Sequence, residues 1–160
     1  MSPKSKVWIY QSEREFSKDE VFRLELLLLA FCTQWTAHNK KLHAAGEIRH
    51  NRFIILMVDE EKGGASGCSI DDSVRFLKNI ERTFLTQLFD RLQIAYMLEG
   101  KVTTALWKEF EQLVNKGSIP MDTLVFDNTV STKSELHERW LVPINKSWMG
   151  KKLKPSGTEF

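Results

Sequence analysis

The chain has 160 residues, is 42% hydrophobic and 28% charged, and carries 23 Lys and Arg against 21 Asp and Glu, a net charge of +2. That balance excludes an acidic disordered chain and argues against a dedicated nucleic-acid binder, whose footprint is a strongly basic field. Two cysteines, Cys32 and Cys68, are too few for a disulfide framework, and the length favours one domain over residues 1–160.

Lys4 and Lys6 are followed by no apolar core of signal-peptide length. The longest apolar run, residues 26–32, is far shorter than the ~20 residues of a membrane span. The expectation is a soluble cytoplasmic protein with no membrane contact and both thiols reduced. The chain has no G-x-x-x-x-G-K-[ST] phosphate loop, no G-x-G-x-x-G, no C-x-x-C and no H-E-x-x-H. Its four His and two Cys show no metal-ligand spacing, so neither a metal nor a cofactor is called for.

In chain order, residues 7–12 are β-branched and aromatic and read as a strand. Ser17 and Glu20 form an S-x-x-E capping box, and Val21, Leu24, Leu28 and Phe31 recur at helical spacing, so a helix runs to about Trp35. Residues 42–49 and 52–59 are two strands around His50 and Asn51, close enough for a hairpin. Residues 60–67 form a loop with Gly63, Gly64 and Gly67. Ser69 caps the next helix, with Asp71 and Asp72 in its first turn and Ile70, Val74, Leu77, Phe84 and Leu88 on one face. A further strand covers residues 92–98 and closes at Glu99 and Gly100.

The order β-α-β-β-α-β is that of the α+β ferredoxin-like sandwich, whose strands lie in the order 4-1-3-2. A core over about residues 7–99 would then carry a C-terminal helical extension over about residues 101–150 and a polar tail, 151–160. The third strand, residues 53–58, suits a central place because it is apolar on both faces, and the charged second suits an edge. Two helices cover one face only. The other needs residues 101–160, a second subunit in a homodimer, or a ligand. In the last third, residues 104–115 read as a helix stopped by Gly117, residues 124–126 as a short strand, and Thr132 with Glu135 as a capping box for a helix through Trp140.

Four stretches carry a resemblance: residues 8–12 (WIYQS), 35–38 (WTAH), 47–60 (beginning EIRHNRF) and 66–71 (SGCSID). In these the chain resembles a small family of bacterial proteins that often bear the label "ABC transporter ATPase". Such hydrolysis needs a Lys-bearing phosphate loop, a carboxylate for magnesium and a signature loop. Here residues 63–67 resemble a signature loop in composition only. The resemblance implies a family but no reaction, and no catalytic residue carries over.

Three functional readings compete. The leading one is a binding or interaction module, with a small anionic ligand at Gly64, Ser66, Gly67, Cys68 and Ser69, where glycines lead into a helix N-terminus. The enzyme alternative is thiol chemistry at Cys68 with His38 as base, since the third strand's end and the first helix's end share one side of the sheet. The third is RNA binding through Trp8, Tyr10 and Phe53 on the sheet, although no RNA-binding aromatic motif is present. Arg14, Arg49 and Arg52 fall at the opposite end and read as a solvated tip.

Overall fold

In the computed structural model, which describes residues 1–153, the first strand and helix follow the sequence closely. Strand β1 spans Lys6–Gln11 and helix α1 spans Lys18–Gln34. Ser17 is the N-cap: its Oγ accepts from the Glu20 N–H at 3.2 Å, and Glu20 Oε1 accepts from the Ser17 N–H at 3.0 Å. Trp35 closes α1 in an extended conformation.

A short hairpin then follows, between the helix and the next strand, where no element was expected. β2 (Thr36–Ala37) and β3 (Lys40–Lys41) flank His38 and Asn39, both at positive φ. Strands β4 (Ala44–Arg49) and β5 (Phe53–Val58) form the expected hairpin. Its turn places His50 and Asn51 at φ of 53°, and the Arg52 N–H donates to the Arg49 carbonyl at 3.0 Å. Left-handed residues suit this turn because their twist matches that of the strands. A 3-10 turn, Glu60–Lys62, leads to helix α2, Gly67–Phe84.

The three long strands form a sheet in the order β1-β5-β4, antiparallel throughout. That matches three of the four expected places. The fourth does not hold. Strand β6 (Gln93–Leu98) lies in a different sheet, paired with β7 (Lys101–Leu106) across a two-residue turn at Glu99 and Gly100. At the outer edge of β1, where β6 was expected, the Val7 N–H instead donates to the Ser131 carbonyl at 3.0 Å, and Lys6 bridges Thr132. Residues 104–106, expected at the start of a helix, complete β7. The run Val102-Thr103-Thr104 is β-branched, and the positive-φ turn before it favours a hairpin over a helix start.

The chain divides into two compact units, Met1–Asp90 with Ser131–Leu136, and Arg91–Val130 with the chain from His137 onward. In the first unit, Leu24, Leu28, Cys32 and Trp35 from α1 and Leu77, Ile80 and Phe84 from α2 pack on Ile54, Leu56 and Val58 of β5. Phe53 and Ile55, on the opposite face of β5, are also 0% exposed and Met57 is 9% exposed. Both faces of β5 are therefore buried.

In the second unit the sheet order is β7-β6-β8-β9, with β8 at Leu124–Phe126 and β9 at Leu141–Pro143. Helix α3 (Trp107–Asn115) puts Phe110 and Val114 into a core with Ile94, Tyr96, Val125, Ile144 and Met149. Helix α4 spans Lys133–Arg139, and its Thr132 cap accepts from the Glu135 N–H at 3.1 Å. Leu153 is buried in this core, so the polar tail begins later than expected. The rest of that tail, residues 154–160, lies outside the described residues.

Candidate functional site

The loop ahead of α2 is built differently from the sequence reading. The N-cap is Ser66, not Ser69. Ser66 Oγ accepts from the Ser69 N–H at 3.2 Å, and Ser69 Oγ accepts from the Ser66 N–H at 2.7 Å. Serine at the third helical position thus does what Glu does in the usual box. Gly67 and Cys68 become the first two residues of α2, and Asp71 and Asp72 fall beyond its first turn. Among the described residues, no acceptor stands on the Gly67 or Cys68 N–H.

Around this turn, Trp35 Nε1 donates to the Ser69 carbonyl at 2.8 Å, and Trp8 meets Trp35 edge-on with ring centroids 6.1 Å apart. Lys6 Nζ stands 3.2 Å from Glu60 Oε1. The other Glu60 oxygen lies over Gly64, 2.6 Å from where a Cβ would sit there. A carboxylate thus faces the loop that an anion would enter. Asp59 is buried and caps the 3-10 turn, accepting from the Glu61 N–H at 3.1 Å.

Cys68 is exposed and Cys32 is buried. Burial pushes the Cys32 thiol up to about 11. His38 is exposed at the tip of the β2–β3 hairpin, and no hydrogen bond joins it to Cys68. Glu99 and Lys101 belong to the β6–β7 hairpin of the second unit. Among the described residues no three His, Cys, Asp or Glu are grouped closely enough to hold a metal ion.

The arginines at the opposite end are engaged within the chain. Arg14 grips Glu20 with two bonds of 2.8 and 2.7 Å and also donates to the Phe84 carbonyl. This bond, then the Ser17 N–H, lower the Glu20 carboxyl to about 2. Arg52 Nε donates to the Ser12 carbonyl at 3.2 Å, and Nη2 to the Glu13 carbonyl at 2.7 Å. The sheet aromatics are likewise taken up: Trp8 and Tyr10 pack on the core of the first unit and Phe53 is fully buried.

The surface feature missing from the sequence reading is on α1. Phe22, Leu26 and Leu29 are 61%, 54% and 67% exposed. Their spacing of four and three residues puts them on one stripe. Leu24, Leu28 and Cys32 form the buried stripe of the same helix. The signal was present in the sequence, because α1 is apolar on two faces, and a helix apolar all round is normally buried.

No family model, curated protein or solved structure matches the chain, and no helix among the described residues is long and apolar enough to cross a membrane.

Proposed function

We propose that the protein is an interaction module that binds an amphipathic helix along the outer face of α1. One observation carries this reading: three large apolar side chains stand exposed in register on an otherwise well-capped, well-packed helix. A helical partner laying its own apolar face there would bury them and recover the hydrophobic free energy that exposure forfeits. We read the first unit as a ferredoxin-like frame whose fourth strand is missing, and the free thiol of Cys68 as suited to a reducing, cytoplasmic setting.

The test is a dye-labelled peptide of residues 18–34, titrated into the protein and followed by anisotropy. Saturable binding that disappears in Phe22→Ser/Leu26→Ser/Leu29→Ser, with the fold retained by circular dichroism, is the expected result. Absence of saturable binding, or a triple variant that unfolds, overturns the reading.

A second reading keeps the loop. Cys68 is exposed, and its N–H and that of Gly67 are without acceptors, which supports a small anionic ligand or thiol chemistry there. Glu60 beside Gly64 opposes the anion. Measurement of phosphate binding by wild type and Glu60→Gln tests this: affinity should rise in the variant, and no binding to either protein removes the reading.

A further inference from the structure

We infer that the helix bound by α1 is α1 of a second copy, and that the two copies also join edge to edge through β4 with the twofold axis at Ile48. This rests on the interaction reading above and gives it a partner and a register.

Among the described residues, β4 is the outer strand of its sheet and pairs only with β5. The Asp59 N–H donates to the His43 carbonyl at 2.9 Å. Residues 43, 45, 47 and 49 therefore bond inward to β5, and Ala44, Gly46 and Ile48 turn their N–H and C=O groups outward. Among the described residues nothing meets those outward groups. Such an edge is a template for another strand.

The stripe on α1 lies on the same side. Phe31 stacks on Phe76 of α2 with centroids 4.4 Å apart, so that side of α1 faces α2. Leu28 and Cys32 press on Gly46 of β4. At ~100° per residue, Leu29, Phe22 and Leu26 follow Cys32 round the helix, away from α2 and over the free edge. α1 also runs antiparallel to β4. Its start is tied to the β4–β5 turn by Phe16 N–H to the Asn51 carbonyl, 2.7 Å, and its end to the start of β4 by Leu42 N–H to the Trp35 carbonyl, 2.9 Å.

Only outward residues can pair with outward residues, which allows a twofold axis at any residue from Ala44 to Ile48. Axes at Ala44 and Ala45 set Glu47 against Lys41 and His43, both outside β4, which leaves Gly46, Glu47 and Ile48. An axis at Glu47 sets that carboxylate against its own copy. An axis at Gly46 sets Glu47 against Ala45 and leaves its charge unmatched. An axis at Ile48 sets Glu47 opposite Arg49 of the second copy, twice by symmetry, and opposite charges in that position favour pairing. The helices give the same answer. Ile48 is two strand residues beyond Gly46, about 6.6 Å, or about four residues back along α1. From the level of Leu28 and Cys32 that reaches Leu26, the middle of the Phe22–Leu26–Leu29 stripe. One axis therefore centres both the charge pairs and the apolar stripe.

The test uses Glu47→Arg and Arg49→Glu in the full chain. Each variant alone sets like charges across the axis, and should weaken dimerisation about tenfold or more in sedimentation. An equimolar mixture restores both cross pairs, so a heterodimer should regain wild-type affinity within about threefold, identified by native mass spectrometry. A merely structural role for the Glu47–Arg49 pair within one chain would not be restored by mixing. If either variant fails to fold, Ile48→Cys in a Cys68→Ser background should crosslink to itself, because hydrogen-bonded antiparallel partners stand at ~5.5 Å between Cα atoms. A wild-type monomer at all concentrations, a mixture no better than its components, or no crosslink overturns the inference. Saturable binding of the 18–34 peptide alongside any of these would leave the α1 reading standing.

Discussion

Leu28 and Cys32 of α1 lie directly against Gly46 of β4, and Gly46→Ala tests that close packing. A methyl there would stand 3.1 Å from Leu28 Cδ2, 3.3 Å from Leu28 Cβ and 3.4 Å from Cys32 Sγ. Both neighbours are buried in the core, so neither has open space to retreat into. Overpacking of this kind costs about 1–3 kcal/mol. Replacing Gly in a strand recovers about 0.5–1 kcal/mol of backbone entropy. The difference is a net destabilisation of about 1 kcal/mol, measured by urea unfolding. A double-mutant cycle with Leu28→Ala identifies the cause, since removing Cδ2 relieves the closest contact. The pair should be less destabilised than the sum of the singles by about 0.5 kcal/mol or more. A Gly46→Ala protein that is more stable than wild type, with no coupling to position 28, would refute the close-packing argument.

Alkylation by iodoacetamide at pH 8 should label Cys68 far faster than Cys32, which burial holds at about 11; equal rates in the folded protein would contradict this. Glu20 lies near 2 in the fold, below its unfolded value of about 4.3. Its ion pair with Arg14 is therefore fully present above that unfolded value and lost as pH falls towards 2, a contribution of about 1 kcal/mol given its partial exposure. Unfolding of Glu20→Gln between pH 5 and 2 should show a flatter decline than wild type, and parallel declines would rule the pair out as the cause. Leu56→Asp places a lone carboxylate at a fully buried central position, costs several kcal/mol and should leave no cooperative unfolding transition by circular dichroism.

Local signals in the sequence were reliable wherever the chemistry is local. The Ser17–Glu20 box, the His50-Asn51 turn and the Thr132–Glu135 cap are each made by residues a few positions apart, and each forms as read. Ser69 misled because a helix start admits any of several nearby serines. The choice of Ser66 depends on a reciprocal bond from Ser69 that composition does not reveal. The fourth strand misled for a different reason. Its position, residues 93–98, was read well, but its partner was not. The Glu99-Gly100 turn hands it β7 as an immediate neighbour, whereas joining β1 would require long-range pairing. On α1, helical spacing singles out the stripe of Val21, Leu24, Leu28 and Phe31 as a face. The second stripe was hidden because a run of leucines satisfies more than one helical phase at once.

The two features at the free edge of the first unit have different physical roles. Glu47 and Arg49 already pair within one chain at 2.7 Å, and both are partly exposed. Pairing them across an axis exchanges one such contact for another, so the charges add little affinity. What they supply is a penalty against the wrong register, since the Glu47 axis would oppose like charges. With the axis at Ile48, only the outward N–H and C=O groups of Ile48 exchange water for strand partners within β4, and each bond nets only about 0.5–1.5 kcal/mol. Affinity must then come mainly from burying Phe22, Leu26 and Leu29, which are each more than half exposed in the single chain. The stripe provides the attraction and the edge fixes the geometry. Loss of the stripe should therefore abolish association, whereas reversal of one edge charge should weaken it in a way that a complementary reversal repairs.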